Sequence, residues 1–91
     1  MRGIIWSQAA TDQLDAIARY IARENPYAAA RVRQRLVAAT LRLADAPDVG
    51  RTAGRLYREL TVVPPYVIRY RVEPERVLIV RVRHGARGPR R

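Results

Sequence analysis

No cysteine occurs in this sequence, so neither a disulfide framework nor a thiolate metal site can form, and the single histidine, His84, cannot build a histidine metal cluster. No metal and no cofactor is therefore expected, and stability has to come from packing. No stretch approaches the ~20 apolar residues of a membrane span, and the run at Ile4-Ile5-Trp6 is far shorter than the apolar core of a signal peptide, which reads as a cytoplasmic chain with no membrane partner. Lysine is missing as well. All eighteen basic residues are arginine against eight acidic residues, a formal charge of +10. Codon bias accounts for arginine replacing lysine but not for the surplus over Asp and Glu, and that surplus points to a polyanionic or acidic partner. Nor is there an internal repeat or linker. Ninety-one residues make one domain, which buries roughly 60 to 70% of the surface exposed by its unfolded chain. Residues 1–87 are expected to form it, with 88–91 as a flexible basic tail.

What is present sorts into elements by period. Ile4, Ile5 and Trp6 form a short apolar strand, and Ser7 suits the N-cap of a helix running to about Arg23. Ala10, Leu14, Ile17, Ala18 and Ile21 share one face of that helix, with Asp15 and Arg19 a surface pair on another. Asn25-Pro26 supplies an N-cap and a proline at the first helical position, starting a second helix that carries Ala29, Val32, Leu36, Ala39 and Leu43 on one side and ends at Ala46-Pro47. A tight connection between two such helices makes an antiparallel hairpin. The segment from Pro47 to Gly54 has loop composition, and beyond it the period falls to two. Strands are expected at about Leu56 to Val62, Tyr66 to Val72 and Arg76 to Arg83, with turns at Val63-Pro64-Pro65 and Glu73-Pro74-Glu75. Connections this short require antiparallel neighbours. The fold class is α+β: a short N-terminal strand, an antiparallel two-helix hairpin and a three-stranded antiparallel meander with one face covered by the helices.

Strict alternation puts Tyr66, Ile68, Tyr70 and Val72 in the core together with Leu78, Val80 and Val82. The other parity carries Val67, Arg69, Arg71, Val77, Ile79, Arg81 and Arg83. Four arginines interleaved with aliphatics suit an acidic amphipathic peptide better than bulk water, although a merely solvated sheet face is the plain alternative.

Local signatures then add up to a family. They are Trp6-Ser7 with Ala10, Leu14-x-x-Ile17 and Tyr20-Ile21-Ala22; Asn25-Pro26-x-Ala28-Ala29; Pro47-x-x-Gly50-Arg51; Arg58-Glu59-Leu60; Tyr66-x-Ile68-x-Tyr70-x-Val72; and Ile79-Val80-Arg81-Val82-x-His84-Gly85-Ala86-Arg87. In this order they resemble the ParE branch of the ParE/RelE toxin superfamily over about Ile4 to Arg87. The resemblance implies a toxin silenced by a tightly bound ParD-like antitoxin. For the ParE branch it implies DNA gyrase as target, trapped with its DNA cleaved and without catalysis by the toxin; for the RelE branch it implies cleavage of messenger RNA on the ribosome.

Cutting RNA through its 2′-OH needs a proton acceptor, a proton donor and cations for the phosphate. The RelE branch supplies these from basic residues that fall near Tyr57, Glu59 and Val67 here, and a valine can neither donate nor carry charge. No catalytic residue is favoured. Were the chain a nuclease, Glu59 as base, His84 as acid and Arg69 and Arg81 on the phosphate would be the set, but strand parity sends His84 towards the helices. Antitoxin contact is expected from Val67, Arg69, Arg71, Val77, Ile79, Arg81 and Arg83, and target contact from Arg83, His84 and Arg87, at a basic chain end that can order on a partner.

Overall fold

The computed structural model describes residues 2–85; Arg87 and the expected tail 88–91 lie outside the described residues. Strand β1 (Gly3–Trp6) leads into helix α1 (Gln8–Ala22), and helix α2 (Pro26–Leu41) returns antiparallel to it and ends in a 3-10 turn at Arg42–Ala44. Both helix starts are made by the residues that the sequence nominates. Ser7 Oγ accepts from the Ala10 N–H at 3.0 Å, and Asn25 Oδ1 accepts from the Ala28 N–H at 3.0 Å with Pro26 in the first turn. Four strands follow or flank the loop: β2 (Arg51–Thr52), β3 (Arg58–Val63), β4 (Tyr66–Val72) and β5 (Arg76–His84).

The expected meander is the middle of a wider sheet. Its order is β1-β5-β4-β3-β2, with β1 parallel to β5 and every other pair antiparallel. The α1–α2 hairpin lies across one face, α1 against β5 and α2 against β3. Between the two layers sit Ala10, Leu14, Leu36, Ala39, Leu43, Leu60, Ile68, Tyr70, Val77, Ile79 and Val82, with Ile4, Trp6, Ile17 and Val32 closing the margins. The shortest dimension of the molecule is 21 Å, room for a sheet and one layer of helices about 10 Å thick, so among the described residues no element covers the second face of the sheet.

Two β-bulges set which side chains reach that core. On β3 the register moves between Leu60, opposite Ile68, and Val63, opposite Tyr66; the extra residue lets both Leu60 and Val63 point inward while Thr61 and Val62 stay exposed. On β5 Arg81 pairs with Arg69 but Ile79 pairs with Tyr70, which makes Val80 the extra residue. Strict alternation along β5 therefore fails. Val77 and Ile79, expected on the open face, are fully buried at 0% exposure, whereas Leu78 and Val80, expected in the core, are only half-buried. The cause lies at the start of α1. The Ser7 N–H donates to the Ile79 carbonyl at 2.9 Å and Ser7 Oγ donates to the Val80 carbonyl at 3.1 Å, so the chain leaving β1 pins β5 where it bulges. Past the bulge the phase is as expected, and the Val82 N–H is taken by Gln13 Oε1 of α1 at 2.8 Å.

Candidate functional site: the arginine face of the sheet

The uncovered face follows from that register. On β4, Arg69 and Arg71 point away from the core that holds Ile68 and Tyr70. Arg81 stands opposite Arg69, and Arg83 opposite Val67, so these four arginines of β4 and β5 do share one face. The apolar component of the face comes from other residues than the sequence nominates: Ile5, 45% exposed, lies opposite Leu78, which lies opposite Arg71. Val67 belongs to the face but is 8% exposed, tucked beneath the strand end where the Gly85 N–H donates to the Pro65 carbonyl at 2.8 Å.

Glu59 stands at the centre. It is 8% exposed, opposite Arg69 on β4 and Arg51 on β2, and three guanidinium groups converge on it. Arg51 Nη2 donates to Oε1 at 2.9 Å, Arg83 Nη2 approaches Oε2 at 3.5 Å, and Arg69 Nε lies 3.8 Å from the same oxygen. Arg69 is further fixed by donating from Nη2 to the Ala53 carbonyl at 3.2 Å and by lying over the Tyr57 ring with its Cζ 4.9 Å from the centroid. Its Nε is buried and makes no hydrogen bond. Arg71 has its own counter-charge, Glu73 at 3.2 Å, a carboxyl that the Arg76 hydrogen bond holds below the usual carboxylate range. Arg81 is exposed and, among the described residues, has no ion pair.

Arg51 reaches the cluster because its loop is nailed down from below. The Tyr70 hydroxyl accepts from the Gly50 N–H at 2.9 Å and donates to the Pro47 carbonyl at 2.7 Å, and Arg58 Nη1 donates to the Gly50 carbonyl at 2.7 Å. A Cβ at Gly50 would lie 2.8 Å from the Glu59 carbonyl oxygen, closer than any side chain can sit, so only glycine passes here. Gly54, at φ +90°, then turns the chain towards β3. The motif Pro47-x-x-Gly50-Arg51 marks the segment in the sequence, but nothing in it says that Arg51 ends beside Glu59.

His84 is on the other side of the sheet. It pairs with Tyr66 and meets that ring edge-on, centroids 5.5 Å apart and planes at 87°, in phase with buried Val82. Glu59 and His84 thus flank the sheet instead of meeting across a cleft: of the residues named for a nuclease, Glu59, Arg69 and Arg81 share the open face, and His84 is kept apart from them.

The family described as "ParE toxin of type II toxin-antitoxin system, parDE" matches residues 4–89. The chain belongs to the ParE toxin family. Two toxins of Caulobacter vibrioides are similar to it: RelE2 is 48% identical over 87 residues, spanning 96% of this chain and 99% of its own length, and RelE3 is 32% identical over 88 residues, spanning 93% and 96%. Among solved structures, the chromosomal ParDE toxin–antitoxin system of P. aeruginosa superposes with a TM-score of 0.81 at 26% identity, over 92% of this chain and 96% of that one. As a ParE-family toxin this chain keeps the α+β architecture expected of it, and among its described residues no helix is long and apolar enough to cross a membrane.

Proposed function

We propose that this toxin acts as a binding poison of DNA gyrase, holding the enzyme on cleaved DNA without chemistry of its own, and that a ParD-like antitoxin silences it by laying an acidic, amphipathic segment over the arginine face. The observation that carries the first half is the separation of Glu59 from His84 by the thickness of the sheet, so that this acceptor and this donor do not face each other across a phosphate. What supports the second half is the pairing of apolar Ile5 and Leu78 with cationic Arg71, Arg69 and Arg81 on one uncovered surface, together with the likeness to a toxin of a ParDE pair. The target is met at the end of β5 by Arg83, which is shared with the antitoxin face, and by His84 on the opposite side of the sheet.

A second reading, ribosome-dependent cleavage of mRNA, is favoured by one observation: two similar toxins carry RelE names. Two assays run side by side separate the readings. Purified toxin added to gyrase, plasmid and ATP is expected to accumulate cleaved DNA, released as linear plasmid after protein digestion, and to leave mRNA on ribosomes intact. Intact plasmid together with cut mRNA would replace the first reading with the second.

A further inference from the structure

The Glu59 cluster has the make-up of an anion site already filled by the chain's own carboxylate. Three guanidinium groups, from β2, β4 and β5, close on one buried carboxylate from β3, a local sum of +2. The fit is incomplete. Oε1 has a short bond from Arg51, whereas Oε2 is approached by Arg83 and Arg69 only at 3.5 and 3.8 Å, and Arg69 Nε is buried with no acceptor. A carboxylate offers two oxygens in a plane; a tetrahedral phosphate offers oxygens on every side and can meet forked donors arriving from three strands.

We propose that Arg51, Arg69 and Arg83 form an oxyanion site of phosphate-group class, and that Glu59 is an intramolecular counter-anion that keeps this site closed. Being tethered to the sheet, the carboxylate competes at a high effective concentration with any phosphate from solution. The arginine face is thereby divided. Its closed half is Arg51, Arg69 and Arg83; Arg71 is matched by Glu73; and Arg81 is the sheet cation left to an incoming anion among the described residues. A chain of charge +10 is in this way kept from gripping nucleic-acid phosphates through these three arginines. The inference stands whichever target the toxin has, because it concerns the cluster alone.

The test compares thermal unfolding of the full chain in chloride and in inorganic phosphate at equal ionic strength, for the wild type, Glu59→Gln and Glu73→Gln. The last variant makes the same change of formal charge at a carboxylate outside the cluster. Glu59→Gln is expected to gain about 5 °C or more in phosphate, the wild type and Glu73→Gln less than about half of that, and Arg83→Gln added to Glu59→Gln is expected to abolish the gain. Equal gains in all three proteins, or no gain in Glu59→Gln, would overturn the proposal. Should Glu59→Gln fail to fold in chloride, folding restored by phosphate supports the site and failure in both salts overturns it. On the wild type itself, the Nε–H resonances of Arg69 and Arg83 are expected to stay put under millimolar phosphate while that of Arg81 moves; a saturable shift at Arg69 would equally sink the idea.

Discussion

Tyr70 does more in this molecule than fill volume. It is fully buried, and its hydroxyl serves as acceptor for the Gly50 N–H and donor to the Pro47 carbonyl, so one core side chain fastens the loop that delivers Arg51 to Glu59. Tyr70→Phe keeps the ring and leaves both backbone groups without a partner, which is expected to cost about 2 kcal/mol in urea unfolding. Burial pushes the Tyr70 phenol above its ordinary range, with the Gly50 hydrogen bond acting more weakly in the opposite sense. A phenol raised on folding contributes stability that is intact below its unfolded pKa of about 10 and is lost as pH climbs through the folded value. The stability gap between wild type and Tyr70→Phe should therefore be constant at neutral pH and narrow in the alkaline range; a gap that widens there would contradict the assignment. Asp15 gives a contrasting lesson. Its spacing to Arg19 suggests a pair along α1, but its carboxylate goes 2.6 Å across the hairpin to Arg33 of α2, because the two helices run close and antiparallel. Both side chains are more than a third exposed, so the pair contributes little.

Among the elements, β5 holds the molecule together, lying between β1 and β4 and beneath α1. Its bulge at Val80 brings Val77 and Ile79 into the core ahead of the shift and keeps Val82 there after it, while Arg81 and Arg83 stay on the open face. Without the extra residue either the two aliphatics or the two arginines would face the wrong way. Ser7 links this bulge to the N-terminus of α1, accepting from the Ala10 N–H and donating to the Val80 carbonyl. Ser7→Ala removes a cap and leaves a strand carbonyl unanswered. The expected loss is roughly 2 kcal/mol, a fall in the thermal midpoint of roughly 10 °C. If Ser7 were a cap only, the loss would be near half that, and hydrogen exchange at Val82 and its neighbours would be unchanged; with the bulge loosened, that exchange should quicken. The hydrophobic period that marked the helices and β4 could not have revealed the bulge, since Val77, Leu78, Ile79 and Val80 are all aliphatic and accept either phase.

For the whole molecule, one layer of helices on a five-stranded sheet leaves a broad face to a partner, and the charge of +10 gives that face long reach. If an acidic antitoxin segment docks there, association is steered by charge and screened by salt. Stopped-flow association of toxin with antitoxin is expected to slow at least about tenfold between about 0.05 and 0.5 M NaCl, with dissociation changing much less. A rate indifferent to salt would mean that the contact lies on an apolar surface instead.

Periodicity and local motifs by themselves determined the α+β class and the two capped helices, the phase of β4 and the likeness to the toxin family, because each is written in neighbouring residues or in their spacing along one element, and the missing cysteine excluded a disulfide. The tertiary structure decided which aliphatics of β5 are core, that β1 joins the sheet parallel at its far edge, and that Arg51 and Arg83 meet on Glu59. Those depend on register between strands, and a register slipped by one residue turns every side chain over at no cost visible in the local sequence. Contacts such as Ser7 to Val80 and Tyr70 to Pro47, 73 and 23 residues apart along the chain, choose among the registers that the pattern allows.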